Sequence, residues 1–351
     1  MSDDGPRGIL SLAWYATVGD YAIAGGWACK GSLLVVADAA GGVFGFEGPS
    51  GASRWKRPDI HQGGVLAMAV HPSGELFATA GQDGRVLIWS AEDGEVNQVI
   101  DPDCGWVENL AWSSDGQWLA ASISRRVHVF GVDGQEAWHS DDHPSTVSTI
   151  AWSGSEELAT ACYGRVTFFD ASSGQPVQKL EWQGSLISMV LSPDGNVVAC
   201  GSQDNSVHFW RRDTGADSQM HGYPAKPSSL SFDSTGTLLA TGGGKDATVW
   251  SFEGDGPEGT SPGVLELHVK TITALTFARG KRLLASGARD GAVVIWRLLS
   301  DGEGGPVGAG LVGDGRSMPD VVSGVAWRPD DRAIAIFDAS GGVTVMDVNE
   351  P

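Results

Sequence analysis

The chain has 351 residues, a formal net charge of −20 and an isoelectric point near 4.6. That charge disfavours general binding to nucleic acid or to an anionic membrane, since both repel an acidic protein. The length suffices for a large core in a single domain, and 50 glycines fit a chain that turns back on itself many times.

The first element is the apolar run ILSLAWYATV at 9–18. It fails as the core of a secretion signal, because MSDDGPRG ahead of it carries two Asp against one Arg and no cleavage site follows. Beyond it, a short alternating strand ending in a large side chain recurs along the chain. The copies end at Phe46, Trp89, Phe130, Phe169, Trp210, Trp250, Trp296 and Met346, in steps of 43, 41, 39, 41, 40, 46 and 50 residues. A period of that size, with several short strands per unit, is the mark of a propeller blade. No stretch keeps apolar residues at helical spacing for several turns, and none is long enough to be a membrane-spanning helix.

The unit beginning at His61 contains four predicted strands, VLAMAV, LFATAG, VLIW and VNQVID, cut by the turns HPSGE, QDGR and SAEDGE. The strands are rich in β-branched and large apolar residues, and the turns in Gly, Asp, Ser and Pro. Phe169 followed by Asp170, and Met346 followed by Asp347, end third strands with an acidic residue; Trp89 is followed by Ser90 and Trp210 by Arg211.

On this repeat the chain resembles the WD-repeat β-propellers over nearly its whole length, although no unit has the family's Gly-His. The resemblance implies an all-β fold of four-stranded antiparallel blades. Eight sets of strands predict eight blades in one domain spanning 1–351, at 19–60, 61–103, 104–142, 143–181, 182–222, 223–267, 268–317 and 318–351. The last set lacks a fourth strand, and the segment 9–15 is free to supply it and close the ring. Seven blades is the alternative, with the Gly-rich stretch 300–320 as the weak point.

The family's buried tetrad of His, Ser or Thr, Asp and Trp is matched twice. His61, Thr79, Asp83 and Trp89 form one set, and His268, Ser286, Asp290 and Trp296 the other, both at intervals of 18, 4 and 6. The unit ending at Trp210 keeps Asp204 but carries Trp182 and Cys200 at the other positions. The remaining units are expected to hold by packing. A catalytic reading of His, hydroxyl and Asp is disfavoured, since Thr79 and Ser286 lie within apolar strands and the set occurs twice.

The resemblance also implies a partner-binding face at the loops between blades and the turns between second and third strands. Transferred position by position, it comprises Leu66, Gln82, Trp106, Glu108, Ile187, Gln203, Lys226, Lys245, Thr271 and Arg289. None of the turn residues Gln82, Gln203, Lys245 and Arg289 is acidic, so a neutral-to-basic face is expected, with Trp106 and Arg289 as anchors.

The loop HSDDH, with His139, Asp141, Asp142 and His143, holds metal-ligand atom types, but His143 falls at the tetrad register and a metal is not expected there. No nucleophile elbow, P-loop or paired zinc motif occurs. Cys29, Cys104, Cys162 and Cys200 have no paired spacing, consistent with a reduced, cytoplasmic protein. The expectation is a non-enzymatic, monomeric scaffold that binds proteins without a cofactor and without nucleic acid or membrane. The alternative is an enzyme or metal-handling protein with a site in the central channel or the 139–143 loop.

Overall fold

The unit from His61 shows how the sequence builds a blade. Strands Val65–Val70, Leu76–Gly81, Val86–Ser90 and Val96–Ile100 pair antiparallel in chain order. The turn at 71–74 closes on a bond from Gly74 N to the His71 carbonyl, and Gly74 sits at φ +73°, where a side chain is disfavoured. Alternation puts Phe77, Leu87 and Trp89 against the preceding sheet, and Ala78, Ala80, Val86 and Ile88 against the following one.

A computed structural model describes residues 9–102, 105–254, 256–299 and 310–349. Cys104 and the 300–309 part of the Gly-rich stretch lie outside them. The described strands form seven hydrogen-bonded sheets, six of four strands and one of six, all antiparallel. The core is a series of apolar layers, each filled from two neighbouring units. One layer joins Trp14, Trp27, Leu34 and Phe46 to Phe337, Val343 and Val345, so the series closes into a ring. Strand Leu10–Thr17 pairs with Gly342–Val348 and supplies the fourth strand of the last sheet.

Eight separate four-stranded sheets were expected, and this is corrected to seven sheets. Six sequence units make one sheet each, while the units at 143–181 and 182–222 run into the single six-stranded sheet. Two long strands are the reason. Glu157–Asp170 continues through Tyr163 and Gly164, pairing first with Thr149–Ser153 and then with the start of Pro176–Leu191. Pro176–Leu191 in turn crosses into the next unit, where its second half pairs with Val197–Ser202. The bridge from Tyr163 to Ser185 lies where the two units meet.

Tryptophans at the ends of first strands fasten neighbouring units together. The indole N–H groups of Trp27, Trp112, Trp152 and Trp327 donate to the carbonyls of Ala326, Ala69, Ala111 and Thr276 at 3.0–3.2 Å, each in the preceding unit. On outer strands, Trp14, Trp55 and Trp138 donate to Gly48, Ala91 and Ala171 of the following unit. Around the channel, the Ser148, Ser188, Thr273 and Ser323 hydroxyls donate to Leu186, Pro227, Val322 and Ala22.

Candidate partner-binding face

Antiparallel neighbours alternate in direction, so the start of each first strand, the end of the second and the start of the third share one end of a blade. Six units carry a bulge where the first strand begins to pair with the second, at Ala22/Ala24, Val65/Ala67, Val107/Asn109, Leu186/Ser188, Ile272/Ala274 and Val322/Gly324. The extra residues are Ile23, Leu66, Glu108, Ile187, Thr273 and Ser323, and a bulge re-aims the side chain it carries. Three of the residues placed on the face from sequence, Leu66, Glu108 and Ile187, are therefore bulge residues. The alternating pattern of the strand does not reveal that.

The second-to-third turns are tied to the same end. Gln82, Gln203 and Arg289 donate backbone N–H bonds of 2.9–3.1 Å to the carbonyls of Gly64, Ser185 and Thr271. Trp106 is 56% exposed, and Glu108, Gln203, Lys226, Lys245 and Arg289 are exposed as well. Leu66, Gln82, Ile187 and Thr271 are half-buried and offer less surface. The Lys245 ammonium pairs with both carboxylate oxygens of Asp246 at 2.8 and 2.9 Å, and that hydrogen bonding raises its pKa. Asp101 and Glu108, either side of Trp106 in sequence, are both exposed. The expected neutral-to-basic face is thus corrected to one of mixed charge.

The two tetrads lie just beneath this surface. Trp89 Nε1–H donates to Thr79 Oγ1 at 2.8 Å, Thr79 Oγ1 meets His61 Nε2 at 2.8 Å, and His61 Nδ1 meets Asp83 Oδ1 at 3.0 Å. One proton arrangement satisfies every atom: the hydroxyl donates to Nε2, and Nδ1–H donates to the carboxylate, with the imidazole neutral. Burial pushes the His61 pKa down, as this requires, against the pull of Asp83. Asp83 also accepts from Gln62 N and from Arg85 Nε. In the second set the matching distances are 2.8 Å for Trp296 to Ser286, 2.7 Å for Ser286 to His268 and 3.3 Å for His268 to Asp290. Thr79 and Ser286 are fully buried with both sides of each hydroxyl engaged, so neither is placed to attack a substrate.

Units assigned from sequence to packing alone carry partial relays, which corrects that expectation. His143 Nε2 meets Thr160 Oγ1 at 2.8 Å while its Nδ1 meets the Arg125 carbonyl. Tyr223 stands where His61 stands in its own unit; its hydroxyl meets Thr241 Oγ1 at 2.8 Å and accepts from Trp250 Nε1 at 3.1 Å. In the unit with Cys200, Trp182 stacks on His208 at 3.8 Å between ring centres, with Trp210 edge-on at 4.2 Å.

Of the four candidate ligands in HSDDH, three are engaged with different partners. His143 enters its relay, Asp142 accepts from Arg126 Nε at 2.7 Å, and His139 turns to Glu136.

Residues 57–90, 94–130, 174–211 and 259–297 match the family model described as WD domain, G-beta repeat. The chain is a WD-repeat β-propeller. Its WD-repeat relatives include Protein HIR1 of Cryptococcus neoformans, 25% identical over 66% of this chain and 33% of that one. A guanine nucleotide-binding protein subunit beta of Oryza sativa is 24% identical over 68% of this chain and 70% of its own length. Actin-interacting protein 1 of Drosophila melanogaster is 27% identical over 50% of this chain and 30% of its own. The match thus spans about a third of the length of the HIR1 proteins. Among solved structures, the computationally designed Ika8 protein superposes with a TM-score of 0.81 at 20% identity, covering 97% of this chain and all of that one. A chain of the Mitotic Checkpoint Complex gives 0.67 at 16% identity, covering 100% of this chain and 95% of that one. Both likenesses are of fold. No described helix of this WD-repeat chain is long and apolar enough to cross a membrane.

Proposed function

We propose that this propeller is a non-enzymatic scaffold that binds a protein partner at the loop end of its blades. The observation that carries the reading is Trp106, an indole 56% exposed one residue before the first strand Val107–Trp112 of its unit. Tryptophan and arginine are the usual anchors of protein interfaces. Arg289 and Lys226 add exposed cations and Glu108 an exposed carboxylate, which suits a partner of mixed charge with an apolar centre. Actin-interacting protein 1 by its name binds a protein, and the subunit beta by its name belongs to an assembly; a docking role of the same class is proposed here. The buried free thiols Cys162 and Cys200 favour a reducing compartment such as the cytoplasm.

The test is affinity capture from native extract with the wild-type chain and with Trp106→Ala and Arg289→Glu. Loss of the main captured protein in both variants, at unchanged melting temperature, supports the reading. Full retention in both overturns the assignment of this face.

A further inference from the structure

Glu136 and His139 stand three apart on the strand Glu136–His139, a spacing that in a regular strand points two side chains to opposite faces. A bulge removes that separation. Trp138 lies opposite Val129, but Glu136 rather than Ala137 lies opposite Phe130. Glu136 is thereby brought round to the face of His139, which is itself opposite His128.

The three side chains converge. Glu136 Oε1 lies 3.0 Å from His128 Nδ1 and 2.8 Å from His139 Nδ1, and one ligand atom from each residue lies within 4.8 Å of the other two. His128 is buried at the base, while Glu136 and His139 open to solvent, beside a cavity of about 430 Å³ bordered by Pro102, Arg126 and Asp142. The blade does not demand polar groups here: the matching positions of the preceding unit are Leu87, Val96 and Val99.

We propose that His128, Glu136 and His139 form a site for a divalent transition-metal ion of the zinc class, with a fourth coordination position open to solvent. Two imidazole nitrogens and one carboxylate are a zinc-type donor set, whereas Ca²⁺ and Mg²⁺ prefer oxygen alone. Tetrahedral ligands at zinc distances stand roughly 3.3 Å apart, so the two contacts to Glu136, at 3.0 and 2.8 Å, need widen by a few tenths of an ångström, while the two imidazoles, within 4.8 Å of each other, close around the ion. The site uses none of the residues assigned to the partner-binding face, although its cavity reaches the second-to-third turn of the same blade at Ser124 and Arg125, and it stands independently of that reading.

The experiment uses the untagged full chain, stripped with chelator and titrated with ZnCl₂ by calorimetry, with Co²⁺ absorption as a second readout. The expected result is one ion per chain, a tetrahedral-type Co²⁺ spectrum and a metal-dependent rise in melting temperature. Loss of an outer-shell partner costs about 10–100-fold in affinity, so loss of a ligand is expected to cost at least about a hundredfold. Glu136→Gln and His139→Ala, both at exposed side chains, should each show that loss. Absence of saturable binding by the wild-type chain, or affinity unchanged in either variant, overturns the proposal.

Discussion

Leu10 sits opposite Val348, in the strand pair that joins one end of the described chain to the other. Both side chains are buried in the same apolar layer, and four residues on, Trp14 donates its indole N–H to the Gly48 carbonyl at 2.7 Å. The closing strand therefore bonds to the last sheet and packs against the first. Burial of side chains of this size is worth about 1.5–3 kcal/mol each. Deletion of residues 1–17 is expected to lower the melting temperature of the whole propeller by several degrees or to prevent folding. Unchanged thermal melting of the truncated chain would contradict closure.

Asp83→Ala and Asp290→Ala should each cost about 1–3 kcal/mol in urea unfolding, because each leaves a buried imidazole and nearby backbone N–H groups without their acceptor. A double-mutant cycle pairing Asp83 with His61 should show coupling, and a cycle pairing Asp83 with His268 none. Equal coupling in both cycles would mean that the two relays are not independent staples.

Burial alone would raise the Asp83 carboxyl, but the hydrogen bonds from His61 and Arg85 outweigh it and hold the pKa at about 2, against an ordinary 3.8. A carboxylate depressed in the fold stabilises above its unfolded value, and that contribution disappears as pH falls from 3.8 to about 2. Asp83→Asn should therefore lose less stability than wild type across that window. Parallel stability curves there would remove Asp83 from the acid response.

His208 is 1% exposed, and burial takes its pKa from 6.5 to about 4 despite Asp217 and Asp204 nearby. The Asp217 carboxylate comes to 3.2 Å from Nε2 without hydrogen-bond geometry. The folded state thus binds fewer protons than the unfolded one between those values, and stability falls as pH drops from 6.5 towards 4. The loss attributable to this one residue is on the order of 3 kcal/mol. His208→Phe should flatten the stability curve between those two pH values; an unchanged slope would show that His208 is not the group responsible.

Trp327→Phe keeps an aromatic ring against its neighbours but removes the N–H that reaches the Thr276 carbonyl at 3.1 Å. The expected cost is about 0.5–1.5 kcal/mol, read as a lower urea midpoint with little change in slope. A midpoint equal to wild type would mean that this indole contributes by packing alone.

The repeat and the strand order were legible because period, turn chemistry and alternation depend only on local sequence. The tetrads were legible for the same reason, since His61 to Trp89 and His268 to Trp296 keep one spacing. The Tyr223 relay was missed because a phenol replaces the imidazole and the turn before Trp250 is one residue shorter. The union of two units was missed because nothing in Tyr163 and Gly164, or in Trp182 to Ser185, says whether extended backbone stops or continues. The family resemblance, not strand alternation, put Leu66, Glu108 and Ile187 on the face; alternation hid their bulges and the meeting of Glu136 with His139, because one extra residue reverses the face on which every later side chain falls. The tryptophan staples between units join residues 33 or more positions apart, and no local pattern pairs an indole with a particular carbonyl.

Hydrogen exchange of the chain alone and in complex with its main captured partner tests the central claim most directly. The account predicts slowed exchange at 105–109, 202–206 and 288–291, at the loop end of three different blades, with the turns at 71–74, 90–94 and 192–195 unchanged. Protection confined to those opposite turns, with 105–109 and 288–291 exchanging as in the free chain, would contradict it.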